Sequence, residues 1–463
     1  MRYGPSFFVA RRQKGSEMNF VPHTEADVAH MLGALGLEGV DDLFAEVRAA
    51  LPPGDVPQIA GASELDLRHQ LWDIARLNGR PDQTPCFRGA GAYEHYVPAA
   101  VQYLLARGEF LTSYTPYQAE TSQGTLQVMY EFQSLVCQLM GMEVANASMY
   151  DGASALAEAA LMAMRLTKGH RLLVAETLHP HWRQTLETYT ANVAPEIVTL
   201  PAPEGAIEPE SVAELLTEET AAVLVQSPNV FGLLEPLHEI GAHLVRHPAL
   251  YVVAAYPTSL GLLTSPGEAH ADIAVGEGQP LGIPLSYGGP YLGLFATKME
   301  HVRQMPGRIA GVAHDAKGRR GYVMALQARE QHIRRERATS NICSNQMHAA
   351  LAATVYLSLL GPDGFRRVAQ NNFVVAHQLA DRLTELPGCS LPYRRPFFNE
   401  FVLDLPAPAE DVERELWDDG IISGLPLSRW FPERPNQMLF CATEVITEAA
   451  MHRLVAAMEE ALP

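Results

Sequence analysis

The chain has 463 residues and a formal charge of −19, from 53 acidic and 34 basic side chains. That balance argues against nucleic acid or an anionic membrane as a main partner, since both require a basic face. A hydrophobic fraction of 47% against 19% charged residues describes a well-filled globular protein, and no apolar stretch approaches the roughly 18 residues of a membrane span.

Residues 1–17 are basic, and Arg11 and Arg12 interrupt the short apolar run Phe7, Phe8, Val9, so no secretory segment is expected there. They read as a flexible extension before Met18. Residues 18–64 read as an N-terminal helical arm of two amphipathic helices. Val28, Met31, Leu32 and Leu35 form one stripe, Leu43, Phe44, Val47 and Leu51 the other, and Pro52 and Pro53 stop the second. Such a pair has no core of its own and needs a larger body or a partner to pack against.

Residues 65–330 read as a large α/β domain. The expected strands are 171–175, 196–200, 222–226, 250–255, 273–275 and 291–297, with helices such as 153–166 and 181–189 between them. Near-continuous apolar strands joined by crossovers predict a mostly parallel sheet covered on both faces. Residues 331–463 read as a smaller α+β domain. Two long helices (346–360 and 365–386) are punctuated by Gly361 and Pro362. Then come the strand in FFNEFVLDL, a helix after Ala409, the strand 438–441 and a final helix capped by Thr447. The five cysteines, Cys86, Cys137, Cys343, Cys389 and Cys441, form no CxxC pair and fit a reducing cytoplasm.

Several segments invite a chemical reading. In NASMYDGASALAEAALMAMR, Asp151, Gly152, Ala153 and Ser154 open a helix on small residues. The turn is either an anion cradle or a well-capped core helix. The glycines of GEGQPLG fit neither nucleotide-binding fingerprint. His179 and His181 in LHPHW lack a third metal ligand at a recognisable spacing, and a loop histidine stacking on a ring is the expectation. Arg329, Arg334, Arg335 and Arg337, interleaved with Glu330 and Glu336, suggest a salt-bridged helix face. GAYEHYVP and YTPYQAETSQG mix Tyr, His, Gln and Glu with Pro and Gly, which suits a shaped pocket or an interface better than a plain surface.

Taken in order, MNFVPHT, FRGAGAYEHYVP, YTPYQAETSQGTLQVMYEFQ, YDGASALAEA, VQSPNVFG, SYGGPYLG and ERATSNICSNQ make the chain resemble a known family from Met18 onward. The family is the P-protein of the glycine cleavage system, in the form of subunit 1 of the split glycine dehydrogenase. The resemblance implies the fold-type I architecture of pyridoxal-phosphate (PLP) enzymes. It also implies an aminomethyl-transferring oxidoreductase of glycine catabolism.

PLP requires a lysine for its Schiff base, an acid against the pyridine nitrogen and a phosphate cradle. In this fold the acid ends one central strand and the lysine follows the next. Here the first strand ends at Tyr256, and the second is followed by Glu277 and Gly278, with no lysine. Only four lysines occur in the chain, Lys14, Lys168, Lys298 and Lys317, and the last two read as solvated surface charges. The turn 151–154, with His179 nearby, then reads as a degenerate remnant.

The expectation is a subunit without covalently bound cofactor and inactive alone. Its partners would be the lysine-bearing subunit 2, in an α2β2-type heterotetramer, the lipoylated H-protein and glycine. Tyr93, His95, Tyr96, Tyr114, Tyr117, Gln118 and Glu120 are the candidates for lining the partner's pocket or lipoyl channel, or for sealing the subunit interface. Two other readings stand beside this one: a self-sufficient PLP enzyme using Lys298, and a structural or regulatory paralogue.

Overall fold

A computed structural model describes residues 23–50, 61–79, 84–111 and 115–463. The extension over 1–17, Pro52, Pro53 and Tyr114 lie outside them. The chain divides into two compact units, Met1–Asn78 and Gly79–Pro463.

In the first unit the helix Glu25–Leu35 begins at a reciprocal cap. The Thr24 hydroxyl accepts from the Asp27 N–H, and the Asp27 carboxylate accepts from the Thr24 N–H at 2.7 Å. Gly36, in the left-handed region, ends it. The second expected helix is split into a 3-10 turn, Val40–Phe44, and a short helix, Ala45–Ala50. The cause is Asp42, whose carboxylate takes the N–H groups of Glu38 and Gly39 and starts a tight turn. A further helix, Glu64–Ala75, is capped by Ser63. Leu43, Phe44, Val47, Leu71 and Trp72 remain exposed.

The second unit is built on a seven-stranded sheet. Its strands are β1 (Val144–Ala145), β2 (Arg171–Ala175), β3 (Glu196–Leu200), β4 (Thr220–Ser227), β5 (Leu250–Ala255), β6 (Ile273–Glu277) and β7 (Gly293–Thr297), in spatial order β1-β7-β6-β5-β4-β2-β3. β3, β2, β4, β5 and β6 run parallel, while β7 is antiparallel to both β6 and β1. Every residue of β5 and β6 is buried, which explains the apolar character of Leu250–Ala255 and of β6 up to Glu277. The helices Gly152–Thr167 and Gln123–Met140 contribute to the core around this sheet.

A hairpin, β8 (Ile309–His314) with β9 (Arg320–Ala325), follows. The arginine-rich stretch after it is not one salt-bridged helix face. It breaks into turns, Gln327–Arg329, Gln331–Arg334 and Arg335–Arg337, with Leu326 and Arg335 at positive φ. Arg329 spends its guanidinium on the carbonyls of Met305 and Gly307 instead of on a carboxylate.

The two long helices form a continuous element, Met347–Thr384, kinked where Gly361 takes φ 59° before Pro362. It leads to a three-stranded antiparallel sheet of β10 (Glu400–Asp404), β11 (Leu425–Pro426) and β12 (Gln437–Cys441), with β12 central. The helices Ala409–Asp418 and Glu448–Ala461, the second capped by Thr447, cover it. This second core also draws in Phe87, Val230, Phe231 and Leu233 from earlier in the chain.

Gly232 marks where the two cores meet. Its φ is +80°, and a β-carbon there would fall 2.0 Å from the carbonyl oxygen of Glu400 on β10. The turn holding it is tied by the Asn229 side-chain oxygen, which accepts from the N–H groups of Phe231 and Leu233. Strain and backbone collision act together, so Gly232→Ala is expected to destabilise the chain by on the order of 3 kcal/mol or more. The urea midpoint measures it, and a midpoint within error of the parent would contradict this packing.

Candidate functional site

The helix Gly152–Thr167 starts with its N-terminus at the carboxyl ends of the central parallel strands. Asp151 caps it, its carboxylate accepting from Ser154 N–H at 2.7 Å while the Ser154 hydroxyl accepts from Asp151 N–H at 3.2 Å. Free N–H groups and the positive dipole end make such a turn favourable for an anion. The anion present is a side chain of this same protein. Glu277, the last residue of β6, accepts from Gly152 N–H at 2.9 Å through one carboxylate oxygen, and from Gln279 and Leu292 N–H, each at 3.0 Å, through the other. Burial pushes its pKa up to about 7, against the three donors that pull it down.

Space at the cradle is also taken. A β-carbon on Gly152 would lie 2.5 Å from ring carbons of Trp182, and one on Gly278 would lie 2.8 Å from the Leu292 side chain. The Ser154 hydroxyl turns back to donate to the Asp151 carbonyl at 3.0 Å.

The other positions that PLP would require also carry different residues. Tyr256 follows the end of β5, its hydroxyl 2.6 Å from His95 Nε2. Lys298, at the end of β7, pairs with Asp272. Asp272 precedes β6, so it lies a whole strand, about 17 Å at 3.3 Å per residue, from the Glu277 end. Lys168 caps the far end of the cradle helix, and Lys317 is exposed beside the hairpin turn. No amine among the described residues stands at the end of β6, and a carboxylate occupies the place of the phosphate. The residues present therefore do not fit PLP. Nor do any described residues form a cluster suited to a metal ion.

His179 closes one flank. Its Nδ1 accepts from His181 N–H at 3.2 Å, so Nε2 carries the proton and donates to the Ala90 carbonyl at 2.9 Å. Its ring meets Trp430 edge-on at 4.7 Å, and burial lowers its pKa to about 4, keeping it neutral.

The polar-aromatic candidates fall into two groups. Tyr93 and His95 are buried between the cores. Tyr93 donates to Glu400 at 2.7 Å, and its backbone exchanges two 2.9 Å hydrogen bonds with the Gln279 side chain. His95 lies between Tyr256 and Glu444, the latter at 2.8 Å. Tyr96 alone of this segment projects outward, 66% exposed, while its N–H donates to Glu444.

Tyr117, Gln118 and Glu120 form the second group, and all three are exposed. Behind Tyr117 stands the buried Arg308, which donates to Thr115 Oγ1 at 3.1 Å and to the Tyr117 hydroxyl at 3.4 Å, with Glu330 at 3.8 Å on its other side. His332 meets the edge of Tyr117 at 5.9 Å.

Arg308, His332 and Glu400 were not singled out from the sequence, and Glu330 was read only as compensating the neighbouring arginines. Glu400 carried a signal, a carboxylate inside the apolar run FFNEFVLDL. The others sit in a polar stretch where nothing distinguishes a buried charge from a solvated one.

The chain matches the family model described as glycine cleavage system P-protein over residues 18–458. It is 51% identical to a protein of Desulforamulus reducens named "Probable glycine dehydrogenase (decarboxylating) subunit 1", over 92% of this chain and 96% of that one. It superposes with a TM-score of 0.85 on the crystal structure of a glycine decarboxylase (P-protein) of the glycine cleavage system in inhibitor-bound form. That match has 43% identity and covers 96% of this chain and all of the other. A Lactobacillus brevis glutamate decarboxylase, 12% identical with a TM-score of 0.66 over 90% of this chain and 97% of that one, shares the fold alone. None of the described helices is long and apolar enough to cross a membrane.

The buried glutamates make stability depend on pH. Glu400, also pushed up to about 7 by burial, behaves like Glu277. An acid whose folded pKa lies above its unfolded value, near 4.3, holds a proton in the fold that the unfolded chain has released. Unfolding free energy is then highest below pH 4.3 on this account and falls as pH rises from there through 7, by up to about 4 kcal/mol per group. Urea midpoints should decline between pH 5 and pH 8, and Glu400→Gln should flatten part of that slope. A slope unchanged in that variant would exclude Glu400 as a contributor.

Proposed function

The chain belongs to the glycine cleavage system P-protein family, and from that premise we propose that it serves as subunit 1 of a split glycine dehydrogenase whose PLP is carried by a second, lysine-bearing subunit. One observation carries the reading: the Glu277 carboxylate engages the Gly152 N–H at the helix terminus where a cofactor phosphate would bind, with no amine beside it among the described residues. The name of its relatives, subunit 1, supports a second subunit. PLP, bound there, would supply the sink for the electron pair left as glycine loses CO2. The aminomethyl group would then pass to the lipoyl arm of the H-protein. An α2β2-type assembly in the cytoplasm is part of the same reading.

This chain's own contribution lies in its exposed polar-aromatic surface. Tyr96, Tyr117, Gln118 and Glu120 face outward, with Tyr96 held through its N–H by Glu444 and Tyr117 through its hydroxyl by the buried Arg308, which suits positioning of a substrate and exclusion of water at a partner's site. Tyr93 and His95 are positioning residues, locking the loop that carries Tyr96 to Glu400, Tyr256 and Glu444.

Purified alone, the chain should show no glycine/CO2 exchange and no cofactor fixed to it by borohydride. Mixing it with the lysine-bearing subunit should restore exchange. In that complex Tyr117→Phe should lower kcat/KM about ten-fold with assembly intact by mass measurement. Cofactor reduced onto a residue of this chain would overturn the assignment.

A further inference from the structure

A second site lies at the far end of the cradle helix, about 20 Å along its axis from Gly152 at 1.5 Å per residue. Arg165, in the last helical turn, borders a hollow of about 400 Å³ that Arg303, Arg329, Arg334, Arg337 and Thr339 also line. No carboxylate lines it. The acids nearby lie outside the hollow. Glu158, buried behind Arg165 toward Ser340, and Glu330, facing Arg308 and His332, act on Arg165 and Arg329 from behind without an ion pair, and Glu336 lies 3.7 Å from Arg337 on the open surface. Among the described residues, Arg165, Arg303, Arg329 and Arg334 enter no ion pair.

The guanidiniums are held in place by the backbone. Arg329 donates to the carbonyls of Met305 and Gly307, Arg165 to Gln304 O at 3.2 Å, and Arg334 Nε to Ala328 O at 3.0 Å. The buried Nε atoms of Arg165 and Arg329 have no hydrogen-bond partner. Burial depresses the pKa of both side chains, a sign that their positive charge is poorly solvated. Five like charges gathered in one concavity repel one another, and on a chain of net charge −19 such a gathering is not a by-product of composition. A multiply charged anion would relieve the repulsion and supply the missing acceptors.

We propose that this hollow binds a dianionic phosphate group, as inorganic phosphate or as the monoester of a small molecule. Guanidinium forks match phosphate oxygens in pairs, and the volume lies within the roughly 300–1,000 Å³ of small-molecule sites. The site is separate from the Glu277 cradle.

The test is calorimetric titration of the full chain, without any second subunit, in low-salt buffer. Inorganic phosphate is the first probe and glycerol 3-phosphate the second. One saturable site per chain is expected, weakened at least ten-fold in R303Q/R337Q, whose exposed side chains leave the fold unchanged by circular dichroism, and unaffected in R414Q on the small domain. Tighter binding of the ester identifies a phosphorylated metabolite as the occupant, and equal binding identifies free phosphate. Absence of saturable binding, equal competition by acetate at matched ionic strength, or parent-like affinity in R303Q/R337Q would overturn the proposal. Because the chain is tested alone, none of these outcomes bears on its assignment as subunit 1.

Discussion

The contact of the Glu277 carboxylate with three backbone N–H groups organises the sheet end on which the rest of the unit depends. Gly152, Gln279 and Leu292 belong respectively to the cradle helix, the segment after β6 and the approach to β7, and a single side chain satisfies a donor from each. A buried N–H without a partner costs about 1–3 kcal/mol, so loss of this carboxylate would leave three such debts at one place. The physics that draws a phosphate to a helix terminus here holds a carboxylate of the same chain. The anion-binding geometry is thereby retained while its capacity for a ligand is filled.

A second constraint follows from where that carboxylate sits. Gln279, two residues on, is fixed by Glu277 and in turn grips the backbone of Tyr93. Tyr93 reaches Glu400 of the small sheet, and Glu400 also takes the Ala90 N–H at 2.6 Å. A chain of hydrogen bonds thus runs from the end of β6 through the GAYEHYVP loop to β10. The exposed Tyr96 stands on this chain, so a surface residue inherits its position from buried groups far away in sequence.

Much of this was legible in the amino-acid pattern, and the reasons for the rest are physical. β2, β3 and β5 match their expected bounds: β2 and β5 carry unbroken apolar runs after their first residue, and β3 places β-branched Ile197, Val198 and Thr199 between Glu196 and Leu200. The helix Gln123–Met140 was overlooked, although Leu126, Met129, Phe132, Gln133, Val136 and Met140 recur at helical spacing on its buried face. The hairpin of β8 and β9 alternates only partly between buried and exposed, and its sheet has two strands, so its periodicity is faint. For the site, the missing lysine could be read directly, since an absence at a known place needs no geometry. The pairings of Glu277 with Gly152, Tyr93 with Glu400 and Arg308 with Thr115 could not, because they span 125, 307 and 193 residues, and pairing at such separations leaves no local trace.

The carboxylate and the missing amine belong together energetically. An enzyme that binds its cofactor in the folded state draws part of its stability from that binding, by an amount that grows with cofactor concentration. A chain that lost only the lysine would keep a cradle whose N–H groups needed an occupant. Glu277 is an occupant tethered by the backbone, at an effective concentration that no free ligand matches, so the Gly152 N–H is satisfied without one. Restoring an amine beside β6 would not by itself restore a site, because the carboxylate would still hold the Gly152 N–H and repel the phosphate. Under the proposed assignment the two features act together: each opposes coenzyme binding in a different way, and restoring one would leave the other in place.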